Sequence, residues 1–149
     1  MGSMAGLQSE LRLRLISGIL RGLIGALFIL AGVSKLSNPA AFASSISNYG
    51  LLPDELLRWA SLGIPWTEVV FGGALFKGQL SRAASGFLIL LLFLFSGIIL
   101  YAWWGGLPSS CSCFGGWRLL EGSHSFNLGR NLILVLINII IFRLSNEQT

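Results

Sequence analysis

Charge is what this sequence has least of. Only 11% of its 149 residues are Asp, Glu, Lys or Arg, against about 25% in a typical soluble domain. A chain so poor in charge cannot cover a water-facing surface, and this excludes an ordinary soluble globule. Histidine occurs once, and methionine only at Met1 and Met4. The net charge of +4 is small, and the ten Lys and Arg lie scattered near the ends of hydrophobic runs. That distribution suits headgroup anchoring in a lipid bilayer and argues against a nucleic-acid surface. Cysteine is nearly absent too: Cys111 and Cys113 are the only two, one residue apart.

Apolar residues fill the space that charge leaves. They make up 54% of the chain, and the mean hydropathy is +0.77. A membrane crossing takes about 20 residues, so the length suits one domain, 1–149, of four spans. The expected fold is all-α: an integral membrane four-helix bundle with a short interfacial helix and a cysteine-containing extracytoplasmic loop. The spans are expected at about 15–36, 54–77, 83–104 and 128–144. The first, "LISGILRGLIGALFILAGVSKL", is too long for the apolar core of a signal peptide, and no clear small-residue cleavage site follows it. Its Gly18, Gly22, Gly25 and Gly32 leave small faces for close helix contact. The segment "SNPAAFASSISNYGLLP" reads as interfacial, with Asn38 capping a short helix whose first turn holds Pro39. Pro65 removes a backbone donor inside the second span, with Gly63 two residues before it, so a kink is expected there. The third span carries no charge and ends in "YAWW", an aromatic belt. Asn127 is a candidate cap for the fourth.

Four spans put both termini and the loop between spans two and three on one side of the membrane. That side holds Arg12, Arg14, Lys77, Arg82 and Arg143, with Arg21 inside the first span. The other side holds Lys35, Arg58, Arg118 and Arg130. The bias places the termini in the cytoplasm and the cysteine loop outside, with the cell inner membrane as the location.

Several residues stand out against this apolar background. Glu68 lies well inside the second span, where a carboxylate is expensive and pairs with a cation or serves a function. Candidate partners are Lys35, Arg130 and Arg21. Arg21 and Lys35 are fourteen residues apart in sequence and share a helix face. Asn131 and Asn138 share a face of the fourth span and are placed to hydrogen-bond across helices. The stretch "PSSCSCFGGW" admits three readings. Two small loop residues can simply be neighbours. A closed zinc site needs four ligands, and two thiolates with His124 fall short, so no metal is assigned. A dithiol that opens and closes fits the polar, glycine-rich surroundings and the oxidising side of the membrane. In that third case His124 is placed to lower a thiol pKa.

The landmarks "RGLIGALFILAGVSKLSNPAAFASSISNYGLLP", "IPWTEVVFGG", "CSCFGG" and "GRN", in that order, resemble those of MauE-type proteins in the broader DoxX-like membrane group. The C-x-C-F-G element beside the third span is the most specific of them, and the resemblance runs from Arg21 to Asn138. It implies a four-helix membrane bundle associated with maturation of methylamine dehydrogenase, a disulfide-rich periplasmic enzyme, alongside a thioredoxin-like protein. It points to Cys111 and Cys113 as a catalytic thiol pair and to Glu68, Arg130 and Asn131 as family-like positions. Ser112 stands where many relatives carry glycine. The expected function is therefore a membrane thiol–disulfide oxidoreductase with a thioredoxin-like extracytoplasmic partner. A membrane quinone near Arg21, Glu68 and residues 101–104 is a candidate second redox agent. The alternatives are a non-enzymatic assembly factor, whose disulfide shapes a docking loop, and a small-molecule transporter.

Overall fold

In the computed structural model, residues 2–107 and 123–146 are described, and all of their regular structure is helical. The elements are α1 (Gly2–Ser37), α2 (Pro39–Ser47), α3 (Asp54–Ala74), α4 (Ser81–Trp104) and α5 (His124–Asn146), with one 3-10 turn at Gly78–Leu80. Cys111 and Cys113 lie outside the described residues.

Helix α1 is longer than the apolar run alone suggests. It begins at Gly2 rather than near Leu15, because Leu, Gln, Glu and Arg between positions 7 and 14 are good helix formers with no proline among them. Asn38 caps α2 as expected: its side chain accepts from the Ala41 N–H at 3.1 Å, and Pro39 occupies the first turn. Helix α3 ends at Ala74, three residues short of Lys77, and remains helical through Pro65. Helix α5 starts at His124, four residues before the expected Leu128. Asn127 is thus not its cap. The Asn127 backbone N–H already donates to the Ser123 carbonyl at 3.0 Å, and the residue is buried.

Helices α1 and α3 pack closely, as do α4 and α5, while α1 with α5 and α3 with α4 join the two pairs. The close approach of α1 to α3 has a residue-level cause. A Cβ built on Gly32 would lie 2.7 Å from the Pro65 carbonyl oxygen and 2.7 Å from Val69 Cγ2. One on Gly25 would lie 2.7 Å from the Gly72 oxygen, and one on Gly72 only 2.9 Å from the Gly25 oxygen. Any larger residue would force the helices apart. Along α4 and α5 one antiparallel register holds throughout: Ser81 meets Ser145, Ser96 meets Asn131, and Trp103 stacks on His124.

The distribution of polarity is inverted. Large apolar side chains face outward, with Leu90 66% and Leu132 60% exposed, while Lys35 at 1% and Glu68 at 2% are enclosed. Ser81, Ser85, Asn131 and Asn138 are also buried. Water as solvent penalises both halves of that pattern, whereas lipid tails favour it. Helices Gly6–Ser37, Ser81–Trp104 and His124–Ser145 are long and apolar enough to cross a membrane. The protein is a membrane protein. Among the described residues α3 does not join those three, since Arg58, Glu68 and its small residues lower its hydropathy.

Candidate functional site

The one salt bridge among the described residues joins Lys35 to Glu68. Side chains on a helix tilt toward its N-terminus. Lys35, near the end of α1, therefore leans inward, and Glu68, deep in antiparallel α3, leans back to meet it. The ammonium donates to both carboxylate oxygens, at 2.7 Å to Oε1 and 2.6 Å to Oε2. Gly32, one turn before Lys35, lets α3 come close enough for this double contact. Two aromatic rings complete the surroundings of the cation. Lys35 Nζ lies 5.6 Å from the Phe42 ring centre and 5.5 Å from that of Phe95, both within cation–π range. Phe42 is the one buried residue of α2, so the ion pair ties three helices and α2 to a single point.

Beside this point lies an apolar cavity of about 250 Å³ between α2, α3 and α4, walled in part by Phe42, Tyr49, Ile64 and Phe95. Tyr49 also borders an open cleft lined by Asn48, Tyr101, Trp104 and Leu107. Leu107 is the last described residue before the cysteine segment. Its carbonyl accepts a hydrogen bond from His124 Nε2 at 3.1 Å, a contact that requires a proton on Nε2. The His124 ring also lies nearly parallel to Trp103, 4° between planes at 6.5 Å. Leu107 and His124, the described residues on either side of the cysteine segment, are thus held together.

The family model described as methylamine utilisation protein MauE matches residues 13–144. The chain belongs to the MauE family. No curated protein and no solved structure gave a significant match.

The expected site residues of this MauE-family chain divide into separate groups. Lys35 and Glu68 are brought together. Arg21 is not with them, although it shares the α1 face with Lys35; fourteen residues of helix rise carry it about 21 Å along the axis. There it donates from Nε to the Ser17 carbonyl, from Nη2 to Ser17 Oγ and from Nη1 to Ser81 Oγ, near the buried Ser81–Ser145 contact. A single quinone site reaching both Arg21 and residues 101–104 is therefore not built, because they occupy opposite ends of the helices. Asn131 Nδ2 donates to Ser96 Oγ at 3.3 Å across the α4–α5 seam. Arg130 borders a shallow cleft with Phe126, Gly129 and Ile133 on α5. His124 belongs to the first turn of α5 and anchors one end of the cysteine segment. Sequence reasoning missed Phe42 and Phe95. Nothing in a run of apolar residues distinguishes a ring that faces a buried ammonium from one that faces lipid.

Proposed function

We propose that this MauE-family protein is a four-span inner-membrane thiol–disulfide oxidoreductase. It exchanges electrons between Cys111–Cys113 and an extracytoplasmic thioredoxin-fold protein, in the maturation of a disulfide-containing enzyme such as methylamine dehydrogenase. One observation carries this reading. The only two cysteines of the chain fall in a segment of fifteen residues, 108–122, whose two exits are tied by the His124–Leu107 hydrogen bond. Two thiols one residue apart can act together on a partner's disulfide.

The exchange balances as follows. One thiolate attacks a sulfur of the partner's disulfide, forming a mixed disulfide and expelling the other partner sulfur as thiolate. The second thiolate then attacks its neighbour's sulfur in the mixed disulfide, closing Cys111–Cys113 and releasing the partner fully reduced. Two electrons pass to the partner, and the same steps in reverse oxidise it. The one-residue spacing puts the Cα atoms near the upper limit for an unstrained bridge, which favours a labile disulfide over an inert one.

The reading takes α3, the expected second span, as crossing the membrane together with the three long apolar helices. Its 21 residues rise about 32 Å, which matches a hydrocarbon core of about 30 Å. Trp59, Leu62, Trp66 and Val70 recur at helical spacing on its exposed face, and Ser61, Pro65, Glu68 and Gly72 on its buried one. Of the charged residues that lower its hydropathy, Glu68 thus faces away from lipid, and Arg58 is exposed near the start of the helix, where a span end meets the headgroups. α2 then lies at the interface on the cysteine side, and the Lys and Arg bias sets that side outside.

Purified protein poised in glutathione buffers tests the reading. The pair should shift reversibly between dithiol and disulfide by alkylation and mass, and a single Cys113→Ser variant should trap a thioredoxin-fold protein as a mixed disulfide. Thiols that stay unpaired under oxidising buffer, or full maturation activity without either cysteine, would hand the function to a non-enzymatic assembly factor.

A further inference from the structure

A dithiol that reduces or oxidises one partner must be returned to its starting state by a second two-electron agent. The described residues contain no other thiol, so that agent comes from elsewhere. The apolar cavity beside the Lys35–Glu68 pair has the size and lining for one such agent. Its volume of about 250 Å³ exceeds the roughly 150 Å³ that accepts a single benzene ring. It suits one substituted or fused ring. Phe42, Tyr49 and Phe95 supply aromatic walls on which a planar conjugated ring can stack. Ser45 brings the one hydroxyl besides that of Tyr49, and this hydroxyl already donates to the Ala41 carbonyl.

Two further features distinguish this cavity from a chance packing defect. Phe42 and Phe95 are held by the Lys35 ammonium, which is itself fixed by two bonds to Glu68. The walls are therefore set by a rigid buried pair, not by apolar contact alone. Tyr49 is shared between the cavity and the open cleft at Leu107, where the cysteine segment begins. Leu94, another wall residue, is 54% exposed, so a hydrocarbon tail has a way out past it toward lipid.

We infer that the cavity between α2, α3 and α4 binds the ring of a membrane quinone, with its tail leaving past Leu94. The inference rests on the oxidoreductase reading for the reaction it serves. Two thiols and one quinone give one disulfide and one hydroquinone, so two electrons and two protons move together and nothing is left over. Lys35 and Glu68 act as positioning residues, since they hold the two rings and do not line the cavity.

The test uses the full chain in detergent and a photoreactive azidoquinone as probe. Cross-linked peptides should map to Phe42–Leu52 and Leu94–Ile98, and decylubiquinone should protect them while palmitate does not. Ser45→Phe and Ile98→Phe each fill the cavity, and folded samples of either should weaken labelling roughly tenfold or more. A Cys111→Ser/Cys113→Ser variant should label as well as the parent. Labelling elsewhere, unchanged labelling of a folded cavity-filled variant, or equal protection by palmitate overturns the inference, the last in favour of an acyl-chain site. A labelled cavity with inert thiols would sink the oxidoreductase reading and leave the site standing. Cycling thiols with an unlabelled cavity would do the reverse.

Discussion

Replacing Glu68 by leucine while Lys35 remains would leave a buried ammonium facing only two phenyl rings. Both contacts to the carboxylate are short and charge-assisted, at 2.6 and 2.7 Å. Hydrogen bonds to charged groups contribute about 1.5–3 kcal/mol each, so losing two should cost about 3–6 kcal/mol, which overlaps the roughly 3–5 kcal/mol found when one member of a buried pair is removed. Lys35→Met should cost a similar amount, because it strands the carboxylate instead. The double variant Lys35→Met/Glu68→Leu strands neither, and methionine keeps an unbranched stem against Phe42 and Phe95. Its stability should lie within about 1 kcal/mol of the parent. Glu68→Gln should fall between the parent and Glu68→Leu, since the amide oxygen still accepts. Reversible unfolding in mixed micelles, followed by far-UV circular dichroism against the mole fraction of sodium dodecyl sulfate, measures all four. The cycle should return a coupling of at least about 3 kcal/mol. Additive single effects would refute the reasoning, since they would mean that the two charges are stabilised independently.

Gly32→Ala should destabilise by about 1–3 kcal/mol in the same titration, because its Cβ meets the Pro65 carbonyl oxygen, a backbone atom that cannot turn aside, as well as Val69 Cγ2. Gly73→Ala, with nothing within 4 Å of the new methyl, should be neutral or stabilising by up to about 1 kcal/mol. Asn138→Leu should not destabilise, because Nδ2 donates only within its own helix and the buried Oδ1 has no hydrogen-bond partner among the described residues; a loss above about 2 kcal/mol would mean that Oδ1 is satisfied after all. For topology, Thr149→Cys in a Cys111→Ser/Cys113→Ser background should resist a membrane-impermeant maleimide on intact cells and react once they are opened. Efficient labelling of intact cells would invert the assignment.

Composition alone determined the solvent and the class of fold. So little charge spread over so many apolar residues leaves no alternative to lipid, and three of the four expected spans emerge as long apolar helices because unbroken runs of Leu, Ile, Phe and Ala admit little else. The Asn38–Pro39 start of α2 was legible for the same local reason: a side-chain cap and a proline at the first turn act within four residues. Glu68 was legible as exceptional, since a carboxylate in an apolar run needs company. Which cation supplies it was not. Lys35, Arg130 and Arg21 all satisfied the sequence argument, and only the antiparallel packing of α1 on α3, opened by Gly25, Gly32 and Gly72, selected Lys35. Sharing a helix face placed Arg21 in line with Lys35 but said nothing of depth, and the rise along the axis carried it to another cluster altogether. The aromatic walls, the cavity they enclose and the tie between His124 and Leu107 are likewise products of tertiary packing. They join residues 53 and 17 positions apart in sequence, and periodicity within one helix carries no information about which neighbour its faces will meet.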